Sequence, residues 1–165
     1  MTLIFMGVSG CGKTTLGKRV AAKLQCRFLE GDEFHPPENV EKMRSGEPLD
    51  DDDREGWLKA LAAEIAAVNS EPHLCVSCSA LKKTYRDLLR EGDPETLFVV
   101  MHGDRRILDA RVKNRSHEYM PASLLDSQLA TLEIPEEPER FLVVNIADSP
   151  GAQMWTVLNH VQSAT

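Results

Sequence analysis

Long apolar runs are missing from this chain. No stretch approaches the roughly 20 residues that span a bilayer, and the apolar start Leu3-Ile4-Phe5-Met6 is short and lacks the basic residues that open a signal peptide. A membrane association is therefore not expected, and a cytoplasmic protein is. Basic charge is scarce as well, with 19 Lys and Arg against 26 Asp and Glu and a formal charge of −7. Proteins that grip a nucleic-acid backbone carry a basic face, so no nucleic-acid partner is expected and small metabolites fit better. Cysteine is limited to Cys11, Cys26, Cys75 and Cys78. The single C-x-x-C spacing has no second ligand pair nearby, and residues three apart on a strand face opposite sides, so the four read as buried reduced thiols. Repeats, low-complexity tracts and linkers are absent too. A length of 165 residues with 42% hydrophobic content then predicts a single domain over 1–165 with one sizeable core.

The apolar segments that are present are short and rich in β-branched or large residues: Leu3 to Met6, Arg27 to Glu30, Leu74 to Cys78, Leu97 to Met101 and Phe141 to Ile146. Most are separated by helical patterns, which is the signature of a parallel α/β sandwich. After Asp50, the residues Trp57, Leu58, Leu61, Ile65 and Val68 recur at helical spacing and form one stripe. The four acids Asp50 to Asp53 suit the positive end of that helix, and most of them read as a solvated first turn. Pro36-Pro37-Glu38 reads as another helix start, with Val40 and Met43 as its buried positions.

Residues 7 to 14, Gly-Val-Ser-Gly-Cys-Gly-Lys-Thr, form a complete G-x-x-x-x-G-K-[ST] phosphate loop between an apolar strand and the amphipathic run Leu16, Val20, Leu24. The glycines let successive backbone N–H groups face a polyphosphate at a helix N-terminus. The nucleotide is therefore assigned to Gly7, Val8, Ser9, Gly10, Cys11, Gly12, Lys13, Thr14 and Thr15. Lys13 reaches the β and γ phosphates, and the Thr14 hydroxyl is the candidate Mg²⁺ ligand.

A phosphate loop alone does not choose between a kinase, a motor and a GTPase switch. Size disfavours the motor. A GTPase needs a guanine-reading Asn-Lys-x-Asp, which is absent, and Asp53-Arg54-Glu55-Gly56 matches a switch only by chance because it opens a helix. Ligands of open α/β sheets lie beyond the carboxyl ends of the strands. The residues there are Glu30, Asp32 and His35, then Ser79, Lys82, Lys83, Tyr85 and Arg86, then Asp104, Arg105 and Arg106. That supplies an acid for a hydroxyl and cations for phosphate or carboxylate. Asp32 is the candidate to align an attacking hydroxyl or accept its proton. The basic stretch Arg111 to His117 reads either as a mobile flap that follows a helix and closes on ATP or as a solvated helix end.

Together these residues resemble the gluconate kinases of the phosphate-loop type. The resemblance rests on the loop itself, Gly31-Asp32, His35-Pro36, Asn39, Lys42-Met43, Gly46, Pro48-Leu49, Asp51-Asp52-Asp53-Arg54, Trp57-Leu58, Cys78 to Lys83 and Tyr85-Arg86-Asp87. It continues through Arg111, Arg115, His117, Leu124-Leu125, Ser127-Gln128, Leu132-Glu133 and Pro135. It implies ATP:D-gluconate 6-phosphotransferase activity with Mg²⁺ in a homodimer. The implied fold is a three-layer α/β/α phosphate-loop NTPase fold with a five-stranded parallel sheet, similar to adenylate kinase and shikimate kinase. A substrate-binding segment at about 32–60 and a mobile lid at about 112–122 are expected, and the lid favours the flap reading. Glu30 departs from the pattern, standing where related kinases often place an aspartate.

On this reading Lys13, Asp32 and Arg115 are catalytic, Arg111 and Arg115 join the nucleotide site, and Asp32, His35, Arg54 and Lys82 bind gluconate. The alternatives are a shikimate-like or nucleoside monophosphate kinase, or a nucleotide-binding regulator without an acceptor.

Overall fold

The computed structural model describes residues 1–68, 70–114 and 123–164. Among them, β1 (Thr2–Met6), β2 (Arg27–Glu30), β3 (Leu74–Ser77), β4 (Leu97–His102) and β5 (Phe141–Asn145) form one sheet in the order β2-β3-β1-β4-β5. Every pairing is parallel. All five residues of β1 are buried, because β1 is flanked by β3 and β4, with Leu3 opposite both Cys75 and Leu97. A strand covered on both faces has no polar side, which explains its unbroken apolar run.

The helices are α1 (Lys13–Leu24), α2 (Pro37–Arg44), α3 (Asp51–Val68), α4 (Lys83–Arg90), α5 (Arg105–Lys113), α6 (Ser123–Thr131) and α7 (Pro150–Ala164), with a 3₁₀ turn at Gly31–Phe34. The chain leaves β1 for the β2 edge, then returns through β3 to β4 and β5. Parallel crossovers are right-handed, so this reversal puts α1 on one face of the sheet and α3 and α4 on the other. Helix α7 packs against α1 and β5, and α3 packs against α4. The expected three-layer sandwich results, with its core on both faces of β1, β3 and β4. The reversal also opens a crevice at the carboxyl end of β1.

One local reading needs correction. In α2 the buried positions are Asn39 and Met43, whereas Val40 is only half-buried. Apolar spacing pointed to Val40, but Asn39 can be buried because its amide nitrogen makes two polar contacts, as described below. Of the acids opening α3, Asp50, Asp51 and Asp52 are exposed as expected, while Asp53 is half-buried. The Asp50 amide donates to Asp53 Oδ2 at 3.0 Å, and the Asp53 amide donates to Asp50 Oδ1 at 2.7 Å, a reciprocal cap. Asp53 also pairs with Lys42 at 2.8 Å. The stripe Trp57, Leu58, Leu61, Ile65 and Val68 is buried as its spacing predicts.

Arg86, one of the candidate cations, is 1% exposed and serves the fold. It grips Glu139 through Nε at 2.8 Å and Nη2 at 3.0 Å, and its Nη1 donates to the carbonyls of Ala80 at 3.1 Å and Glu133 at 2.9 Å. The loop after β3 is thereby tied to the segment that leads into β5.

Candidate active site

The phosphate loop turns between β1 and α1 with Gly7 at φ 142°. A Cβ at Gly7 would lie 2.7 Å from the Met101 carbonyl oxygen, so the close approach of loop and β4 admits only glycine. Gly12 caps α1 in the left-handed region and offers no side-chain acceptor. The first N–H groups of α1 are thus left for an anion. Lys13 Nζ lies across the loop, donating to the Val8 carbonyl at 3.1 Å. The Ser9 amide donates to Gln128 Oε1 of α6 at 2.6 Å, so the helix beyond the expected lid touches the loop directly.

Thr14 and Glu30 meet across the end of β2. Thr14 Oγ1 donates to Glu30 Oε2 at 2.6 Å, and Ser77 donates to the other carboxylate oxygen. The longer side chain of glutamate spans the gap from β2 to α1. A hydroxyl beside a carboxylate fits Mg²⁺, a hard cation that keeps several waters and takes further oxygens from substrate phosphates. Among the described residues no three His, Cys, Asp or Glu gather into a metal site.

A cleft of about 460 Å³ joins the loop to the carboxyl ends of β2 and β3, lined by Lys13 and Thr14 at one end and by Asp32, His35, Arg54 and Trp57 at the other. Asp32 is placed by its neighbours. Gly31 packs so closely on the Ser77 carbonyl that no Cβ fits, and Trp57 Nε1 donates to the Gly31 carbonyl at 2.8 Å. His35 stacks on the Trp57 indole with centroids 3.8 Å apart and planes inclined by 23°. Its Nε2 lies 3.8 Å from Asp32 Oδ1. Burial, with the Arg54 charge adding to it, lowers the His35 pKa to about 4, so the ring is neutral at physiological pH.

Arg54 lines the cleft and is fixed by the Leu49 carbonyl and by Tyr85 Oη at 3.2 Å. Lys82 is not among the residues lining it. Its Nζ pairs with Asp51 at 3.0 Å and sits 5.6 Å from the Tyr85 ring centroid. Arg111 lies in the last turn of α5, so the basic stretch begins inside the helix and not after it. Its Nη1 donates to the carbonyls of Gly10 at 3.2 Å and Cys11 at 3.3 Å, and its Nη2 to Ile146 at 3.3 Å. Arg111 thus braces the loop from behind. It also lines a second cleft of about 320 Å³ with Arg19, Asp148 and Gln153. Arg115 and His117, with most of the expected lid, lie outside the described residues. Arg105 and Arg106 are engaged by Asp126 and Asp104.

The C-x-x-C pair is not a site. Burial pushes the Cys78 thiol up to about 12, while Cys75 lies 3.8 Å, sulfur to sulfur, from the half-buried Cys26. Residue reading alone missed Trp57 and Gln128 as cleft components, while Glu30 lines the cleft as its place after β2 suggests. Trp57 was hidden in the core stripe of its helix, and Gln128 is visible only as part of the family pattern.

The fold and the cleft define a phosphate-loop kinase of the small-molecule type. Residues 9–139 match the shikimate kinase family model. The chain is 44% identical to the thermoresistant gluconokinase of Escherichia coli K12, over 89% of this chain and 85% of that one. It is 42% identical to the gluconokinase of Gluconobacter oxydans 621H, over 98% and 91%. The crystal structure of a gluconokinase from Sinorhizobium meliloti 1021 superposes with a TM-score of 0.87 at 41% identity, covering 99% of this chain and 92% of that one. The chain belongs to the gluconokinase family.

Proposed function

We propose that this protein transfers the γ-phosphoryl group of ATP to the 6-hydroxyl of D-gluconate, giving 6-phosphogluconate and ADP. The observation that carries the reading is the single cleft with a phosphate loop at one end and a carboxylate, a neutral imidazole and a guanidinium at the other. Gluconate is a flexible polyol with one carboxylate, and needs a cation at one end and hydrogen-bonding groups along its length. Arg54 supplies the cation, and His35 and Asp32 supply the polar groups. Lys82 acts through Asp51 and Tyr85, holding Arg54 in place. Relatives named gluconokinase at 44% and 42% identity support the same acceptor.

In this mechanism residues 7–15 hold the polyphosphate. Asp32 accepts a hydrogen bond from the terminal hydroxyl and aligns its oxygen for in-line attack. Lys13 swings from the Val8 carbonyl to the phosphates and balances charge on the transferring group. Thr14, backed by Glu30, would hold Mg²⁺, which would supply positive charge against the phosphate oxygens. Arg111 and Arg115 complete the nucleotide side, with residues 112–122 acting as a lid and 32–60 as the acceptor segment of a single domain. The protein works in the cytoplasm as a homodimer.

The experiment is ADP release from MgATP with and without D-gluconate, the product being identified by its NADP-dependent oxidation. Strong gluconate-dependent turnover is expected. Equal or greater turnover with shikimate, AMP or CMP, or turnover indifferent to gluconate, overturns the reading.

A further inference from the structure

Asn39 is 3% exposed and has no place in the chemistry described so far. One atom makes both of its contacts. Its Nδ2 donates to the Asp53 carbonyl at 2.7 Å and lies 3.2 Å from His35 Nδ1. A backbone carbonyl only accepts, so the atom facing it is the amide nitrogen and not the amide oxygen. That nitrogen carries two protons. One serves Asp53, and the other points at His35 Nδ1, which is therefore the accepting nitrogen of the ring. A neutral imidazole that accepts at Nδ1 holds its proton at Nε2. Nε2 is the atom that faces Asp32 Oδ1 across 3.8 Å.

We propose that Asn39 is a positioning residue that locks His35 in its Nε2–H tautomer, so that the cleft offers a hydrogen-bond donor and the Asp32 acceptor side by side to one alcohol group. This rests on the gluconate kinase reading and specifies how its acceptor hydroxyl is held. A hydroxyl both donates and accepts. It donates a hydrogen bond to Asp32, accepts one from His35 Nε2–H, and keeps a lone pair for phosphorus. The other tautomer would set a bare lone pair beside a carboxylate, two acceptors that a single hydroxyl proton cannot satisfy. The charged groups facing His35 among the described residues are Asp32 from the 3₁₀ turn and Arg54 from α3. The Trp57 ring stacks on one face of the imidazole.

The test combines a tautomer measurement with a double-mutant cycle. Long-range ¹H–¹⁵N spectra of the intact wild-type protein should show His35 protonated at Nε2 and bare at Nδ1. Asn39→Ala should lower kcat/KM for gluconate by roughly 10- to 100-fold, the range for removing a group that orients a reactive side chain, with the KM for ATP changed less than about twofold. In a His35→Gln background, whose amide donates without any tautomer, the same Asn39→Ala change should cost less than about twofold. An undiminished cost there overturns the assignment, because a merely structural asparagine acts whatever stands at 35. Wild-type protonation at Nδ1 overturns it even where the Asn39 variant fails to fold. Gluconate turnover with the wrong tautomer sinks the Asn39 role and leaves the kinase reading intact. Absence of gluconate turnover sinks both, whatever the tautomer.

Discussion

Trp57 and His35 form one unit: the indole stacks on the imidazole at 3.8 Å between centroids, while its Nε1 holds the Gly31 carbonyl at 2.8 Å. A side chain 2% exposed in the core stripe of α3 thereby sets both the ring and the turn that carry the acceptor site. Trp57→Phe keeps the stack and leaves the Gly31 carbonyl unpaired, which should cost about 1–3 kcal/mol of stability. Trp57→Ala should cost about 3–5 kcal/mol. Urea titrations check both. Loss of gluconate affinity in the Phe variant at unchanged ATP affinity would locate the hydrogen bond's effect at the 3₁₀ turn.

Asp32→Ala should lower kcat by roughly 10²- to 10⁴-fold, the usual worth of a positioned acid or base, and leave ATP binding nearly unchanged. Steady-state kinetics beside a nucleotide-binding titration separates the two. An unaltered kcat removes Asp32 from the mechanism.

Glu30 is held by Thr14 at 2.6 Å and by Ser77. Glu30→Gln keeps an accepting oxygen for one hydroxyl, turns the other position into an NH2 donor to which the second hydroxyl must reorient, and loses the charge. It should raise the Mg²⁺ concentration for half-maximal rate roughly tenfold or more. A Mg²⁺ titration at saturating ATP and gluconate reads this directly.

Arg86 and Glu139 test the scaffold. Both side chains are almost wholly buried, so removing Glu139 strands the Arg86 charge, whereas removing Arg86 leaves Glu139 paired with Arg90 at 3.0 Å. Glu139→Gln should cost about 3–5 kcal/mol, and Arg86→Met less. At roughly 2–4 °C per kcal/mol for a chain of this size, calorimetry should find a Tm drop on the order of 10 °C for Glu139→Gln. Replacing both partners with apolar residues should recover part of it.

The His35 pKa falls from an ordinary 6.5 to about 4 on folding. Between those values the unfolded chain binds the proton and the folded protein does not. Stability should therefore decline as pH drops from 6.5 toward 4, with no further loss from this group below. The contribution is lost on acidification because the buried ring must be charged. Thermal melts across that window should show a shallower decline in His35→Gln than in the wild type. Identical slopes would remove His35 as the cause.

The parallel α/β class, the phosphate loop and the core stripe of α3 are legible in the sequence because each depends on spacing within one segment. Gly7, Lys13 and Thr14 announce themselves by their separation, and Trp57 to Val68 by their period. Asp32 could be chosen because strand ends are where such sheets bind ligands. Contacts between segments distant in sequence have no local signature. Sequence spacing could not tell that Asn39 is buried in place of Val40, since the carbonyl of Asp53 and the ring of His35 come from other elements. It could not separate Arg54, which lines the cleft, from Lys82, which pairs with Asp51, or Arg86, buried against Glu139, from a solvated charge. What local periodicity and motif chemistry encode, the sequence by itself determined. Which polar group meets which was decided only by the tertiary structure, because burial makes each such group depend on partners that folding alone brings within hydrogen-bond reach.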